Sequence, residues 1–137
     1  MTKATFPYVQ QNPAFGIAGY MPCMPIELQF GSNFAAVYGL VDSGSAVSVL
    51  PYGIGLQLGA QWNQLPIAPP LGGSLSASPA RGVFMKAVIP PFPPQILYFA
   101  WSRDPNVPLL LGQSDFFMFY DVCFHRSQLF FEVQPKP

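Results

Sequence analysis

One acid stands among apolar residues in the stretch YGLVDSGSAVSVLP, which runs from Tyr38 to Pro51. Leu40 and Val41 precede Asp42, and Val47, Val49 and Leu50 follow it. An ionised carboxylate is costly in such a run unless hydrogen bonds or a partner hold it. Asp and Gly two residues apart also make ordinary tight turns, because Asp bonds its own backbone and Gly tolerates positive φ. A plain turn sits in polar sequence, whereas this one joins two apolar strands. The carboxylate is therefore expected at the floor of a site, where it can work as an acid or a base.

Few other residues compete for that role. His125 follows Cys123 by two positions, so both side chains share one strand face. That makes two metal ligands at most, short of a structural site, and no metal or other cofactor is expected. Asp115 and Asp121 are expected to cap an element or face solvent, and Trp62 and Trp101 to lie in the core. Phosphate-loop and dinucleotide fingerprints are absent.

The elements that position Asp42 follow from composition. The chain has 137 residues, half of them hydrophobic and 9% charged, with zero net charge, which fits one domain around one core. No Lys/Arg cluster exists, so nucleic acid is excluded as a partner. No apolar run reaches membrane-span length, and the start MTKATFPYVQQNP lacks the apolar stretch of a signal peptide, so a cytoplasmic chain is expected. In that compartment Cys23 and Cys123 are expected to be reduced.

The 17 prolines and 12 glycines break the chain into short pieces and argue against long helices. Residues 1–25 are expected to form an extended arm, and residues 26–137 a single domain. Val-, Ile-, Phe- and Tyr-rich segments predict strands over 26–30, 35–41, 46–50, 83–89, 96–101, 109–111 and 129–133. Residues 89–95, IPPFPPQ, predict a loop or polyproline connector. A single short helix is expected over 114–119, with Ser114 able to cap it and Asp115 suited to its positive end. The pattern is all-β with one short helix.

On these residues the chain resembles the retropepsin-like aspartic proteases. Two apolar residues before Asp42-Ser43-Gly44-Ser45, then Val47-Ser48-Val49-Leu50-Pro51, look like the family's active-site signature. Leu109-Leu110-Leu111-Gly112 before the helix candidate looks like its second signature. Leu71-Gly72-Gly73-Ser74-Leu75 lies where the family carries its flap, although Gly-Gly in a plain loop is common. The resemblance covers residues 26–133, and the ending VPLLLGQSDFF is similar to bacterial, especially cyanobacterial, members.

The resemblance implies a closed β-barrel, half of an acid protease, active as a two-fold homodimer on peptide or protein substrates. Two Asp42 carboxylates, one from each copy, would share a proton and activate a water. Ser43 would bond across the dimer, the Gly44 amide would face the carboxylates, and the Ser45 hydroxyl would donate to Asp42. Val47, Val49 and Leu110 would line substrate pockets, and Leu111 and Gly112 would support the loop. Ala46 and Gln113 replace an Asp and an Arg that pair in the retroviral enzymes. Both are absent together, so no buried charge is left over, and a weaker dimer is implied. Two other readings remain. One is a non-catalytic dimeric binding module on the same fold. The other is a serine hydrolase, disfavoured because the single His lies after Ser43 in the chain rather than before it.

Overall fold

The computed structural model describes residues 2–69 and 79–137. In chain order the strands are β1 (Ala4–Pro7), β2 (Val9–Gln10), β3 (Tyr20–Met21), β4 (Cys23–Phe30), β5 (Asn33–Val41), β6 (Ser48–Leu50), β7 (Ala80–Val88), β8 (Gln95–Ser102), β9 (Leu110–Leu111), β10 (Tyr120–His125) and β11 (Phe130–Pro135). Two short helices, α1 (Tyr52–Gln57) and α2 (Phe116–Phe119), interrupt them.

Six strands close a barrel in the order β4-β5-β9-β6-β8-β7. The hairpin β4–β5 turns at Gly31-Ser32, where Gly31 has a φ of +58°, a conformation that favours glycine. Strand β9 pairs parallel with β5 and antiparallel with β6. A segment from late in the chain is thus inserted between the two strands that flank Asp42. Alternation along β4 and β7 sends Met24, Ile26, Leu28, Val83, Met85 and Ala87 into the barrel core. Leu97, Phe99, Trp101, Phe116 and Phe131 complete that core, all fully buried.

Outside the barrel, β1, β11 and β10 form an antiparallel sheet in that order. Its inner face supplies Phe131 and Val133 to the core, and its outer face carries Thr5, Cys123, His125 and Glu132.

Several expectations are corrected. The N-terminal segment does not stand apart: β1 pairs with β11, Tyr8 is buried, and β4 begins at Cys23, so the boundary at residue 26 falls inside a strand. The expected C-terminal helix is shorter, Phe116–Phe119, with Asp115 at its N-cap position and no side-chain cap from Ser114 or Asp115. Helix α1 was not foreseen, since Gly53 and Gly55 lower the intrinsic helix preference of its segment. Tertiary packing explains both the helix and one of its glycines. The buried Trp101 indole donates from Nε1 to the Tyr52 carbonyl at 3.1 Å, and a Cβ on Gly55 would overlap its ring.

Gly55→Ala should therefore destabilise the fold although alanine is the better helix former, by about 1–3 kcal/mol, the usual range for overpacking. Urea midpoints at a fixed protein concentration check this, and an unchanged or raised midpoint would show that Trp101 yields without cost.

Candidate active site

The chain leaves β5 at Val41 and re-enters the sheet at Ser48. Between them the backbone makes a tight loop whose Ser45 amide donates to the Asp42 carbonyl at 3.1 Å. Asp42 also closes a smaller ring: the Gly44 amide donates to its carboxylate oxygen Oδ1 at 2.9 Å. Among the described residues that is the carboxylate's one hydrogen bond, and Oδ2 is left for outside partners. Asp42 is half-buried, and Ser43 and Gly44 are exposed at the loop tip. A Cβ on Gly44 would lie 3.2 Å from Asp42 Oδ1, so glycine here keeps the amide close to the carboxylate.

The second apolar signature fixes this loop from behind. The Leu40 and Asp42 amides donate to the Leu109 and Leu111 carbonyls at 2.8 and 3.0 Å. On the other side the Gln113 and Ser114 amides donate to the Ser45 and Ala46 carbonyls at 2.9 and 3.0 Å. Gly112 sits at the crossing, where a Cβ would overlap the Val47 and Ser45 carbonyl oxygens. Leu111 and Gly112 thus lie beneath the loop that carries Asp42.

Three contacts escaped the sequence reading. Gln113 donates from Nε2 to the Ser43 carbonyl at 2.7 Å, tying the loop tip to the residue after Gly112. Further in, the buried Ser48 hydroxyl accepts from the Gly112 amide at 2.9 Å and donates to Asp115 Oδ1 at 2.6 Å. Asp115 is buried, against the expectation of a cap or a solvent-facing acid. Its Oδ2 has no hydrogen-bond partner. Burial pushes its carboxyl above the ordinary range, against the opposing pull of the Ser48 hydrogen bond. The apolar neighbours Phe116 and Phe117 gave that burial away only in outline, and nothing in the local pattern paired Asp115 with Ser48.

Other expected contacts differ. The Ser45 hydroxyl donates its single proton to the Val47 carbonyl at 2.6 Å, so it does not serve Asp42. Val47, Val49 and Leu110 do come together, but in an apolar cluster with Val107 and Leu40. Val49 and Leu110 are buried there, Val49 to 1% exposure, while Val47 stays half-exposed. Val49 therefore presents no surface to a ligand. A cleft of about 310 Å³ opens instead beside Asp42, walled by Met21, Pro22, Leu40 and Phe124. A larger hollow of about 460 Å³ lies against β4 and β5, among Pro25, Ala36, Tyr38 and Pro90, and Glu27 is the sole acid lining it. The expected flap, Leu71, Gly72, Gly73, Ser74 and Leu75, lies outside the described residues.

His125 bonds Glu132 at 2.7 Å on the outer face of the terminal sheet, so it does not serve Ser43 as a base and the serine-hydrolase reading falls. Cys23 and Cys123 are both free thiols. Among the described residues no helix is long and apolar enough to cross a membrane.

Comparison with solved structures decides the fold. A retropepsin-like aspartic protease from Rickettsia conorii superposes over 96% of this chain and 91% of its own, with a TM-score of 0.64 and 14% identity. The EIAV protease, solved with an inhibitor, matches 67% of this chain and 81% of its own, with a TM-score of 0.54 and 14% identity. This chain has the retropepsin-like fold. No protein-family model and no curated protein matches the sequence. The retropepsin-like likeness thus rests on the course of the backbone, and it extends over the N-terminal strands as well as the barrel.

The Asp115 geometry gives a signed expectation. Its folded-state value lies above the ordinary 3.8, so between 3.8 and the raised value the folded chain holds a proton that the unfolded chain has lost. That contribution to stability is complete below 3.8 and disappears as pH rises through the raised value. Asp115→Asn keeps the acceptor for Ser48 and cannot titrate. Relative to this variant, wild type should lose stability as pH rises, read from urea midpoints between pH 3 and 8. A difference that stays constant with pH would remove the buried-acid account.

Proposed function

We propose that the protein is an aspartic endopeptidase whose site forms when two copies bring their Asp42 carboxylates together. The observation that carries this reading is the Asp42 loop. One carboxylate oxygen is held by the Gly44 amide, the other is open, and the loop is braced by β9 and Gln113. The retropepsin-like fold supports it, because the two solved neighbours are proteases in their own descriptions.

A single copy has no second acid for the work. The chain has six acids in all, and none of the other five bonds to or shares the cleft of Asp42. A second Asp42 across a two-fold axis supplies it. Two carboxylates in contact cannot both ionise, so one holds a proton. The ionised one takes a proton from a water whose oxygen attacks the peptide carbonyl carbon. The protonated one gives its proton to the carbonyl oxygen. The tetrahedral diol then collapses: one carboxyl returns a proton to the nitrogen, a diol hydroxyl gives its proton to the other carboxylate, the C–N bond breaks, and an amine and a carboxylic acid leave. The apolar walls at Met21, Leu40 and Phe124 favour substrates with apolar side chains beside the scissile bond.

Asp42→Asn keeps an acceptor for the Gly44 amide but can neither act as a base nor share a proton. Cleavage of a peptide library should fall by about a hundredfold to ten-thousandfold while the urea midpoint holds. Comparable cleavage by a folded variant would exclude the aspartic mechanism, and a wild type that cleaves nothing would favour the binding module. Specific activity should also fall on dilution, since each copy holds half of the site. Flat specific activity at concentrations where sedimentation shows only monomer would rule out the shared site.

A further inference from the structure

The outer face of the terminal sheet holds a cluster that the proposed hydrolysis does not use. Cys123 on β10 lies directly opposite Glu132 on β11, and His125 is two residues further along β10 on the same face. The Cys123 sulfur, a His125 ring nitrogen and a Glu132 carboxylate oxygen all lie within 4.8 Å of one another. Antiparallel pairing explains the convergence: opposite side chains stand about 5 Å apart and diagonal neighbours are within reach of long ones.

From this geometry we infer that Cys123, His125 and Glu132 form a binding site for a divalent transition metal, with zinc the best match. Thiolate, imidazole and carboxylate together suit zinc, and three protein ligands leave a fourth position for water. Zinc bonds of about 2.0–2.3 Å place tetrahedral ligand atoms about 3.3–3.7 Å apart, so closing the cluster needs side-chain shifts of roughly 1 Å. The metal takes the place of the hydrogen between His125 Nε2 and Glu132 Oε1, now 2.7 Å apart.

The surroundings fit the assignment. The His125 ring stacks on Phe130, with centroids 4.4 Å apart and planes 16° apart, which fixes its direction. Lys3 approaches the other Glu132 oxygen, Oε2, at 3.3 Å, so Glu132 can bind metal through Oε1 while Lys3 keeps its contact. Cys123 is exposed, so a metal can reach its sulfur. A shallow hollow of about 120 Å³ beside it, edged by Lys3, Asp121 and Gln134, leaves room for the open position.

The site is independent of Asp42, so the test uses tag-free Asp42→Asn protein, kept reduced without added thiol. Titration with Co²⁺ should saturate at one metal per chain. It should give visible bands of tetrahedral cobalt and a near-ultraviolet thiolate-to-cobalt band, both displaced by Zn²⁺. Cys123→Ser should abolish the near-ultraviolet band. His125→Asn and Glu132→Gln should each weaken binding by at least about tenfold, the low end of what removing even an outer-shell partner costs. A thiolate band that survives in Cys123→Ser would place the metal elsewhere. Absence of saturation below millimolar Co²⁺ in the folded protein would reduce the cluster to a Lys3–Glu132–His125 ion network. Either result overturns the assignment.

Discussion

The Asp42 loop depends on the backbone crossing at Gly112. Strand β9 runs between β5 and β6, and at its end the chain passes so close to the Ser45 and Val47 carbonyl oxygens that no Cβ fits. On either side of that crossing, amide-to-carbonyl bonds of 2.8–3.0 Å tie residues 109–114 to residues 40–46. A loop bearing a partly buried carboxylate would otherwise be a weak point, because loops lack the pairing that satisfies strand backbones. Here the loop borrows its pairing from a segment about 70 residues away. The same crossing orders the interior, since the Gly112 amide fixes Ser48, and Ser48 reaches Asp115.

Neutral groups do work here that the resemblance assigns to charges. The retroviral Asp–Arg pair is replaced by Ala46 and Gln113, and the Gln113 amide bonds the Ser43 carbonyl instead. A neutral hydrogen bond contributes about 0.5–1.5 kcal/mol net, and it avoids the desolvation of two ions at the edge of a cleft. It also acts on a different atom. The loop tip is held from within its own chain.

Legibility in the sequence followed the range of the interactions. Asp42, Gly44, Gly112 and the β5, β7 and β8 strands were readable because local pattern fixes them: an acid in an apolar run, a glycine after an apolar triplet, alternation along a strand. Helix α1 was hidden because Gly53 and Gly55 argue against a helix locally, and the Trp101 indole that requires Gly55 is 46 positions away by subtraction of the residue numbers. Ser45 was misread for the opposite reason. Its hydroxyl has a nearby acceptor at Val47, and a short-range bond won over the carboxylate that analogy offered. The pairing of Ser48 with Asp115 spans 67 positions and left no periodic trace.

Three acids in one small domain show how surroundings, rather than residue type, decide what a carboxylate can do. Asp115 accepts from the Ser48 hydroxyl and has a bare oxygen in an apolar interior, and burial raises its pKa. Glu132 lies at the surface, where hydrogen bonds from His125 and then Lys3 favour its ionised form. Asp42 has a third setting: it is half-buried, with one oxygen held by the Gly44 amide and the other left without a partner in the chain. Of the three, Asp42 is the one set beside the cleft walled by Met21, Pro22, Leu40 and Phe124, where a carboxylate meets apolar surface and solvent at once.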